Sequence, residues 1–368
     1  MITLAQLRSW CWPDAPAPSQ SASGAVLPAH PMFRAMAYRL APKEHPEFRN
    51  DYRMLALREM PQRMAREQIA QLFEREKIRF APFKGAYLAN ACYPDPALRS
   101  RCDIDLLAHP EDFDRALKIL EADGWRTPYD YQNNHHHPCM FKQKVVLELH
   151  FRLPNFAGSA ERQWELFVPE GAGFRHHLPP ELELLNLFNH ALHHSWINGA
   201  QMLADCGFLL GHCGLPDWNK VDELAREFQV SGPKLLFFAF PDFFPELYMP
   251  QSAPPDRKFA ELLRERILFP LDLRGRMDTL VMQSGSRFTL QWWRIRLAGF
   301  KPSAIRMTCR LPGHGAYGKL AAAYLTVIRK KLLLACRGLR SNDAGTVAAL
   351  RDLERLKAYL SRPRDGEK

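Results

Sequence analysis

The sequence lacks the long apolar runs that would place it in or across a membrane. No run reaches the eighteen or more consecutive apolar residues of a membrane-spanning helix. The N-terminus also has no apolar segment behind a basic start, as a secretory signal would have. We therefore expect a cytoplasmic protein with no transmembrane segment.

Paired cysteines are missing as well. The eight cysteines are scattered along the chain without any CxxC pair. Neither a zinc knuckle nor a disulfide framework can therefore be recognised in the sequence. A reducing compartment fits best.

Acidic residues are in deficit, which gives a formal net charge of +10. An excess of positive charge favours an anionic partner such as a nucleotide, a nucleic acid or a membrane face. Charge alone does not choose among these, and a solvated basic surface explains it equally well.

The length of 368 residues, 46% of them apolar, suits two domains rather than one core. Residues 1–50 are rich in proline, alanine and serine, which predicts an N-terminal extension made of a short helix and a loose linker. An amphipathic helix is predicted from Asp51 to Lys77 by apolar residues at near-helical spacing: Met54, Leu57, Met64, Ile69 and Leu72. Helical and alternating patterns follow each other over the rest of residues 51–155, and mostly helical patterns fill 156–368. This distribution predicts an α+β protein with a helical C-terminal domain.

Three carboxylates on two predicted strands carry the chemistry. Asp103 and Asp105 lie two apart on one apolar strand and so project to the same face, and Glu148 interrupts a second apolar strand. Two carboxylates held that close repel each other unless a cation lies between them, and oxygen ligands favour Mg²⁺ or Mn²⁺ over zinc. The sequence therefore predicts a metal site of the kind used for in-line phosphoryl transfer.

A Lys-Gly turn precedes these strands. Gly85 would let a phosphate approach the backbone, the next short helix would offer its N–H groups, and Lys84 and Arg99 are the nearby cations. An Asp-x-Asp pair alone is a weak signal. The order of strand, glycine turn, short helix, Asp-x-Asp strand, helix and acidic strand is more specific.

That order resembles the minimal nucleotidyltransferase domain of the DNA polymerase β superfamily, and most closely its family of poorly characterised bacterial nucleotidyltransferases. The resemblance spans roughly residues 55 to 215. The matching features are Phe83-Lys84-Gly85, Tyr93-Pro94-Asp95-Pro96, Arg99, Asp103-Ile104-Asp105-Leu106-Leu107 and Glu148-Leu149-His150. It implies a mixed β-sheet flanked by helices over residues 51–155 and a helical domain over 156–368.

The resemblance also implies roles for the matching residues. Asp103 and Asp105 would bind two Mg²⁺ or Mn²⁺ ions, and Glu148 would bind the catalytic ion and help to deprotonate the attacking hydroxyl. Lys84 and Arg99 would face the triphosphate of an NTP, with ATP the expected donor. The acceptor would be a small molecule, a peptide or a protein. The chain departs from the wider superfamily at Lys84-Gly85-Ala86, where Gly-Ser or Gly-Gly is usual.

Several histidines have open interpretations. His150 shares a strand face with Glu148, so it either orients a metal ligand, contacts the acceptor or is structural. The triple His135-His136-His137 cannot aim all its rings at one ion from a loop. His190, His194 and Trp196 are predicted on one helix and resemble a family segment that is followed by an aspartate, here Asp205; they form a wall over the site or contact substrate.

Two other functions stay open beside catalysis. One is a non-catalytic nucleotide-binding or regulatory module. The other is an enzyme that adds nucleotides to RNA 3′ ends, which the basic and aromatic C-terminal third would suit, although no RNA-binding signature is present and nucleic acid is not favoured. The stretch from Leu325 to Leu334 is a weaker candidate for lying on a membrane surface.

Overall fold

The computed structural model describes residues 2–15, 24–99, 101–127, 138–252, 255–270, 317–340 and 344–360, with the backbone alone over 330–340 and 344–350. Its helices are α1 Leu4–Cys11, α2 Pro31–Leu40, α3 Arg49–Arg75, α4 Gly85–Ala91, α5 Phe113–Ala122, α6 Ala160–Trp164, α7 Pro180–His193, α8 Gly199–Cys213, α9 Trp218–Glu227, α10 Lys234–Ala239, α11 Arg257–Leu268, α12 Tyr317–Arg340 and α13 Ala344–Leu360. Its strands are β1 Phe80–Pro82, β2 Ile104–Ala108, β3 Cys139–Lys142, β4 Val145–His150, β5 Val168–Pro169 and β6 His176–His177. Two predicted features lie outside the described residues: the triple His135-His136-His137, and the stretch 288–294 of the basic and aromatic C-terminal third.

The central sheet has four strands in the order β1-β2-β4-β3. Strands β2 and β4 are parallel neighbours, whereas β1 and β3 pair antiparallel at the two edges. Because a parallel pair needs a long crossover, the connection from β2 to β4 carries helix α5 and strand β3. This mixed sheet with flanking helices confirms the predicted α+β class.

Side-chain alternation gives the sheet one apolar face and one chemical face. Ile104 and Leu106 of β2 and Leu147 and Leu149 of β4 are buried in one core cluster. That cluster includes residues from α3 and α5, among them Ile69, Phe73, Phe113, Leu117 and Leu120. Asp105, Glu148 and His150 therefore point to the opposite face, away from α3 and α5.

The N-terminal segment packs into the helical region. The buried side chain of Arg8 in α1 donates a hydrogen bond to the carbonyl of Phe243 (2.7 Å), and Met32, Phe33 and Met36 of α2 are buried in the same cluster as α8 and α10. The prediction of a loose linker is wrong over Pro31–Leu40. Proline at the first helical position suits a helix start. The high content of proline, alanine and serine over residues 1–50 obscured the apolar residues that follow Pro31.

Helix α3 confirms a predicted helix, but only part of its predicted apolar face is buried. Of the apolar residues that predict the helix, Met54, Leu57 and Met64 are 53%, 63% and 55% exposed, whereas Ile69 and Leu72 further along are buried. Glu59 and Arg66 are also buried. The spacing of apolar residues did not predict the buried side around Glu59 and Arg66, because this part of the helix packs against charged groups that are described below.

Helices α7 and α8 cover the chemical side of the sheet. Helix α7 ends at His193, and Ser195 and Trp196 follow with positive φ angles of 55° and 61°. Placing Trp196 on the helix was therefore wrong, because the chain turns out of the helix to bury this ring against Phe188 (5.2 Å between centroids). Among the described helices, none is both long and apolar enough to cross a membrane.

Candidate active site

Strands β2 and β4 bring three of the predicted site residues together. The parallel register places Asp105 opposite Glu148, and His150 lies two residues further along β4 on the same face. His150 Nε2 is 3.5 Å from Asp105 Oδ1 and 3.7 Å from Glu148 Oε2. One ligand atom from each residue lies within 4.8 Å of the others, which is close enough to surround one ion.

Asp103 lies just before β2, which begins at Ile104, and is not one of that closest trio. Its carboxyl group nevertheless lies close enough to Asp105 and Glu148 to be affected by their charges. Burial, followed by repulsion from Asp105 and Glu148, raises the pKa of Asp103 to about 6. The predicted carboxylates are therefore crowded enough to oppose full ionisation.

Lys84 supplies a positive charge inside this group. Its Nζ donates a hydrogen bond to Asp105 Oδ1 (3.0 Å), and the side chain is 8% exposed. Burial opposes the ammonium, yet attraction to Asp105 raises the pKa of Lys84 above its ordinary value. Burial likewise opposes the Asp105 carboxylate, but Lys84 and then His150 lower its pKa.

The backbone at Lys84 is held in a region that favours glycine, with φ at 49°. Such a conformation costs on the order of 1–3 kcal/mol and persists only where the surroundings impose it. The N–H of Lys84 donates to Glu183 Oε1 (2.9 Å) while its Nζ bonds Asp105. Two bonds at opposite ends of one residue hold the turn.

Glu183 is a site residue that sequence reasoning missed. It lies on α7, is fully buried, and has a pKa raised to about 7 chiefly by burial. The sequence predicts that a phosphate approaches the backbone of this turn. In the structure two N–H groups of the turn already have partners: that of Lys84 donates to Glu183, and that of Ala86 donates to the carbonyl of Phe83 (3.1 Å). The only signal in the sequence was a glutamate between leucines that are themselves buried.

Arg99 reaches the same turn from the other side. Its Nε donates to Asp205 Oδ1 (2.6 Å), which also accepts a bond from the Tyr93 hydroxyl (2.7 Å). A Cβ atom at Gly85 would lie 3.4 Å from the guanidinium of Arg99. Glycine at this position therefore allows the arginine to lie close against the first turn of α4.

Histidines at the end of α7 complete the surroundings. The rings of His190 and His194 are 4.4 Å apart. Burial, then repulsion by Lys84 and His194, lowers the pKa of His190 to about 3, so this ring is neutral at physiological pH. Burial and Lys84 also lower the pKa of His194, while Glu148 acts in the opposite direction. Both histidines are therefore close enough to Lys84 for its charge to act on them.

The donor set fits a divalent cation. Carboxylate oxygens from Asp105 and Glu148, with Asp103 nearby, are the hard ligands that Mg²⁺ and Mn²⁺ take. The raised pKa of Asp103 reflects the repulsion that such an ion would relieve. His150 adds a nitrogen that Mn²⁺ accepts more readily than Mg²⁺.

Comparison with known proteins was made at three levels. The curated proteins gave no match, and neither did the solved structures. Among protein families, residues 29–240 match one described as uncharacterised nucleotidyltransferase. The match spans more than half of the chain, including β2, β4, α7 and α8, and it confirms the resemblance read from the sequence. The chain belongs to this family of uncharacterised nucleotidyltransferases.

Proposed function

We propose that this protein transfers a nucleoside monophosphate from an NTP to a hydroxyl or phosphate of a small-molecule, peptide or protein acceptor. ATP is the donor we expect. The observation that carries the proposal is the parallel register of β2 and β4, which sets Asp105 opposite Glu148 with Asp103 in their field. Residues 51–155 would form the catalytic domain and 156–368 the helical domain that closes over it.

Asp103, Asp105 and Glu148 would hold Mg²⁺. An ion held by these residues would supply positive charge to the phosphate oxygens and would make an attacking hydroxyl more acidic. Glu148 accepts the proton of that hydroxyl. An oxygen–phosphorus bond forms at the α-phosphate, and the bond to the bridging oxygen breaks, so pyrophosphate leaves with the electron pair.

Cations of the chain support the phosphate groups in this proposal. Arg99 faces the triphosphate from the first turn of α4, where its guanidinium already lies against Gly85. Lys84 balances the charge of Asp105 before substrate arrives. Neutral His190, which is close enough to Lys84 to be affected by its charge, can donate or accept a hydrogen bond without adding charge.

The test is transfer of label from each NTP, with Mg²⁺, to components of a bacterial metabolite or peptide extract. We expect the double variant Asp103→Asn/Asp105→Asn to transfer label at least ~100-fold more slowly than the wild type, because removing metal ligands removes several kcal/mol of transition-state stabilisation. Asp14→Asn is the control, because Asp14 is exposed and lies near the N-terminus, far from Asp103 in the sequence. Equal labelling by the double variant and the wild type would refute the metal-site assignment, and undiminished activity in Glu148→Gln would remove the proposed base.

Two hydrogen bonds of Lys84 favour a second candidate, a nucleotide-binding module without turnover. The ammonium of Lys84 donates a hydrogen bond to Asp105, and the backbone N–H of Lys84 donates one to Glu183. Such a module would bind NTP but release no pyrophosphate with any acceptor. Measuring NTP binding and pyrophosphate release on the same preparation separates the two functions.

A further inference from the structure

A small pocket rich in arginine lies between α3 and the segment that leads into β2. Its lining residues are Leu55, Arg58, Glu59, Ala97, Arg99 and Arg101. Three of these six described residues carry a guanidinium group and one carries a carboxylate. Arginine-lined pockets of this composition suit a phosphate group, because the planar guanidinium donates paired hydrogen bonds to phosphate oxygens.

Arg101 forms the buried wall of the pocket. Its side chain is 3% exposed and donates to the carbonyl of Gly85 (2.5 Å) and to Glu59. Glu59 is shared, since it also accepts a bond from buried Arg66 (2.9 Å). One carboxylate therefore serves two buried guanidinium groups.

The buried arginines have unused donors. Within the part of the chain that the structure describes, Nε of Arg101 and Nη1 of Arg66 are buried without a hydrogen-bond partner. Burial, and then repulsion from Arg66, lowers the pKa of Arg101 to about 10. An uncompensated buried charge is costly, and an anion in the pocket would offset that cost.

Arg58 forms the open wall. It is exposed on α3, and no ion pair among the described residues involves it. Arg99 lines the pocket between Arg58 and the Lys84-Gly85 turn, so the pocket adjoins the proposed catalytic site.

We infer that this pocket binds a phosphate group of a polyphosphate or phosphorylated ligand, with Arg58 contacting it from solvent and Arg101 from the buried side. The inference rests on the proposed function where the ligand is the triphosphate tail of the donor. The turn offers no hydroxyl, and its Lys84 N–H bonds Glu183, so phosphate contacts are needed from another element. A phosphate on the acceptor or on a regulator is the other source of the same chemistry.

The test titrates inorganic tripolyphosphate into the full chain by calorimetry, in EDTA and at low salt. We expect one saturable site in the wild type and at least ~5-fold weaker binding in Arg58→Gln, since a charged hydrogen bond contributes more than 1 kcal/mol. Arg53→Gln is the matched control, because Arg53 is exposed on the same helix but does not line the pocket. Arg58 is exposed, so its replacement should leave the fold intact, which a thermal melt checks.

Three results would overturn the inference: no saturable binding, equal binding by wild type and Arg58→Gln, or equal weakening by Arg53→Gln. The last of these would show attraction to general positive charge. Because the titration contains no metal and no turnover, its result does not depend on whether the protein transfers nucleotides. The Asp103→Asn/Asp105→Asn variant should therefore bind tripolyphosphate at least as well as the wild type.

Competition identifies the source of the phosphate. If the pocket holds the donor tail, tripolyphosphate displaces NTP, and Arg58→Gln raises KM for NTP more than it lowers kcat. If it holds a phosphate from another molecule, tripolyphosphate and NTP bind together and the KM for NTP stays unchanged. Either result supports a phosphate site, and they assign it to different ligands.

Discussion

Lys84 shows how one residue can set the charge of the site. Its ammonium is buried against Asp105 Oδ1, and Nε2 of His150 lies 3.5 Å from the same oxygen. A divalent ion bound by Asp105 would compete with the ammonium for that oxygen. The lysine therefore keeps the carboxylate ionised, and it would weaken the binding of a metal ion to that oxygen.

Replacing Lys84 tests this competition. We expect Lys84→Met to lower the free energy of unfolding in EDTA by about 3 kcal/mol, because it leaves Asp105 buried without its ion-pair partner. Mg²⁺ should then stabilise the variant more than the wild type, since binding to the folded state alone raises stability. Urea denaturation with EDTA and with Mg²⁺ measures both effects.

Lys142→Met is the control for that substitution. Lys142 makes an ion pair of similar length with Asp123 (2.8 Å), but both side chains are about one-third exposed. Exposed ion pairs contribute about 0–1 kcal/mol, so this variant should be nearly neutral and insensitive to Mg²⁺. Equal losses in the two variants, or no added effect of Mg²⁺ on Lys84→Met, would contradict the proposed competition.

Predictability differs among the individual site residues. Asp103, Asp105 and Glu148 could be picked out because an acid inside an apolar strand is a local anomaly with a two-residue period. Glu183 sits in an apolar helix, where its partner, the N–H of Lys84, lies 99 residues away. No local pattern connects those two residues.

At the scale of elements, only part of α3 departs from the usual burial of apolar side chains. Its outer face carries Met54, Leu57 and Met64, while Glu59 and Arg66 face inward. The inner position of these charges depends on Arg101, which reaches Glu59 from the segment before β2. The helix was predictable from the spacing of its apolar residues, but the burial of Glu59 and Arg66 depended on that later segment.

The packing of α1 on α8 depends on small residues. A Cβ at Gly211 would lie 2.4 Å from the carbonyl oxygen of Cys11, and one at Gly207 would lie 2.7 Å from the sulfur of the same cysteine. Backbone cannot yield as a flexible side chain can. Glycine in α8 therefore permits the N-terminal helix to dock.

We expect Gly211→Ala to lower the free energy of unfolding by about 2 kcal/mol, the usual cost of adding a methyl group to a packed interface. Gly232→Ala is the control, because a Cβ there has nothing within 4 Å, and it should change stability by less than about 1 kcal/mol. Urea denaturation of both variants checks this. Indistinguishable curves for the two variants would show that α1 is not held this closely.

At the scale of the whole molecule, buried polar contacts join the helical region to the sheet. Asp205 of α8 accepts bonds from Arg99 and Tyr93, and Glu183 of α7 accepts one from Lys84. Both carboxyl groups have raised pKa values because of burial. The stability of the whole fold should therefore depend on pH through these contacts.

Glu183 gives this dependence a sign. Its pKa is about 7 in the folded protein against an ordinary 4.5, so between these values the folded state holds a proton that the unfolded state has lost. Stability from this group is therefore fully present below about pH 4.5 and is lost as the pH rises to 7, by up to about 3 kcal/mol. Glu183→Gln keeps the acceptor for Lys84 N–H but does not titrate.

We expect the stability of Glu183→Gln relative to the wild type to rise between pH 5 and pH 8. Urea denaturation at unit steps of pH measures the difference. Glu181→Gln, at a partly exposed position on the same helix, is the control and should show a flat difference. Parallel curves for Glu183→Gln and the wild type would mean that this carboxyl group does not carry the expected charge change.

The sequence by itself determined the class of the protein. Strands β2 and β4, the carboxylates they carry and the order of elements around them follow from local periodicity, which acts over a few residues. The resemblance to nucleotidyltransferases rested on the same local features, and the family match confirmed it.

Only the tertiary structure decided how the charges are paired. The bonds of Lys84 to Glu183 and of Arg99 to Asp205 join residues 99 and 106 positions apart, and the arginine pocket needs α3 and the segment before β2 to meet. Buried charges are placed by the partners available to them in the folded chain, because desolvation penalises any that stay alone. Local sequence carries no record of those partners.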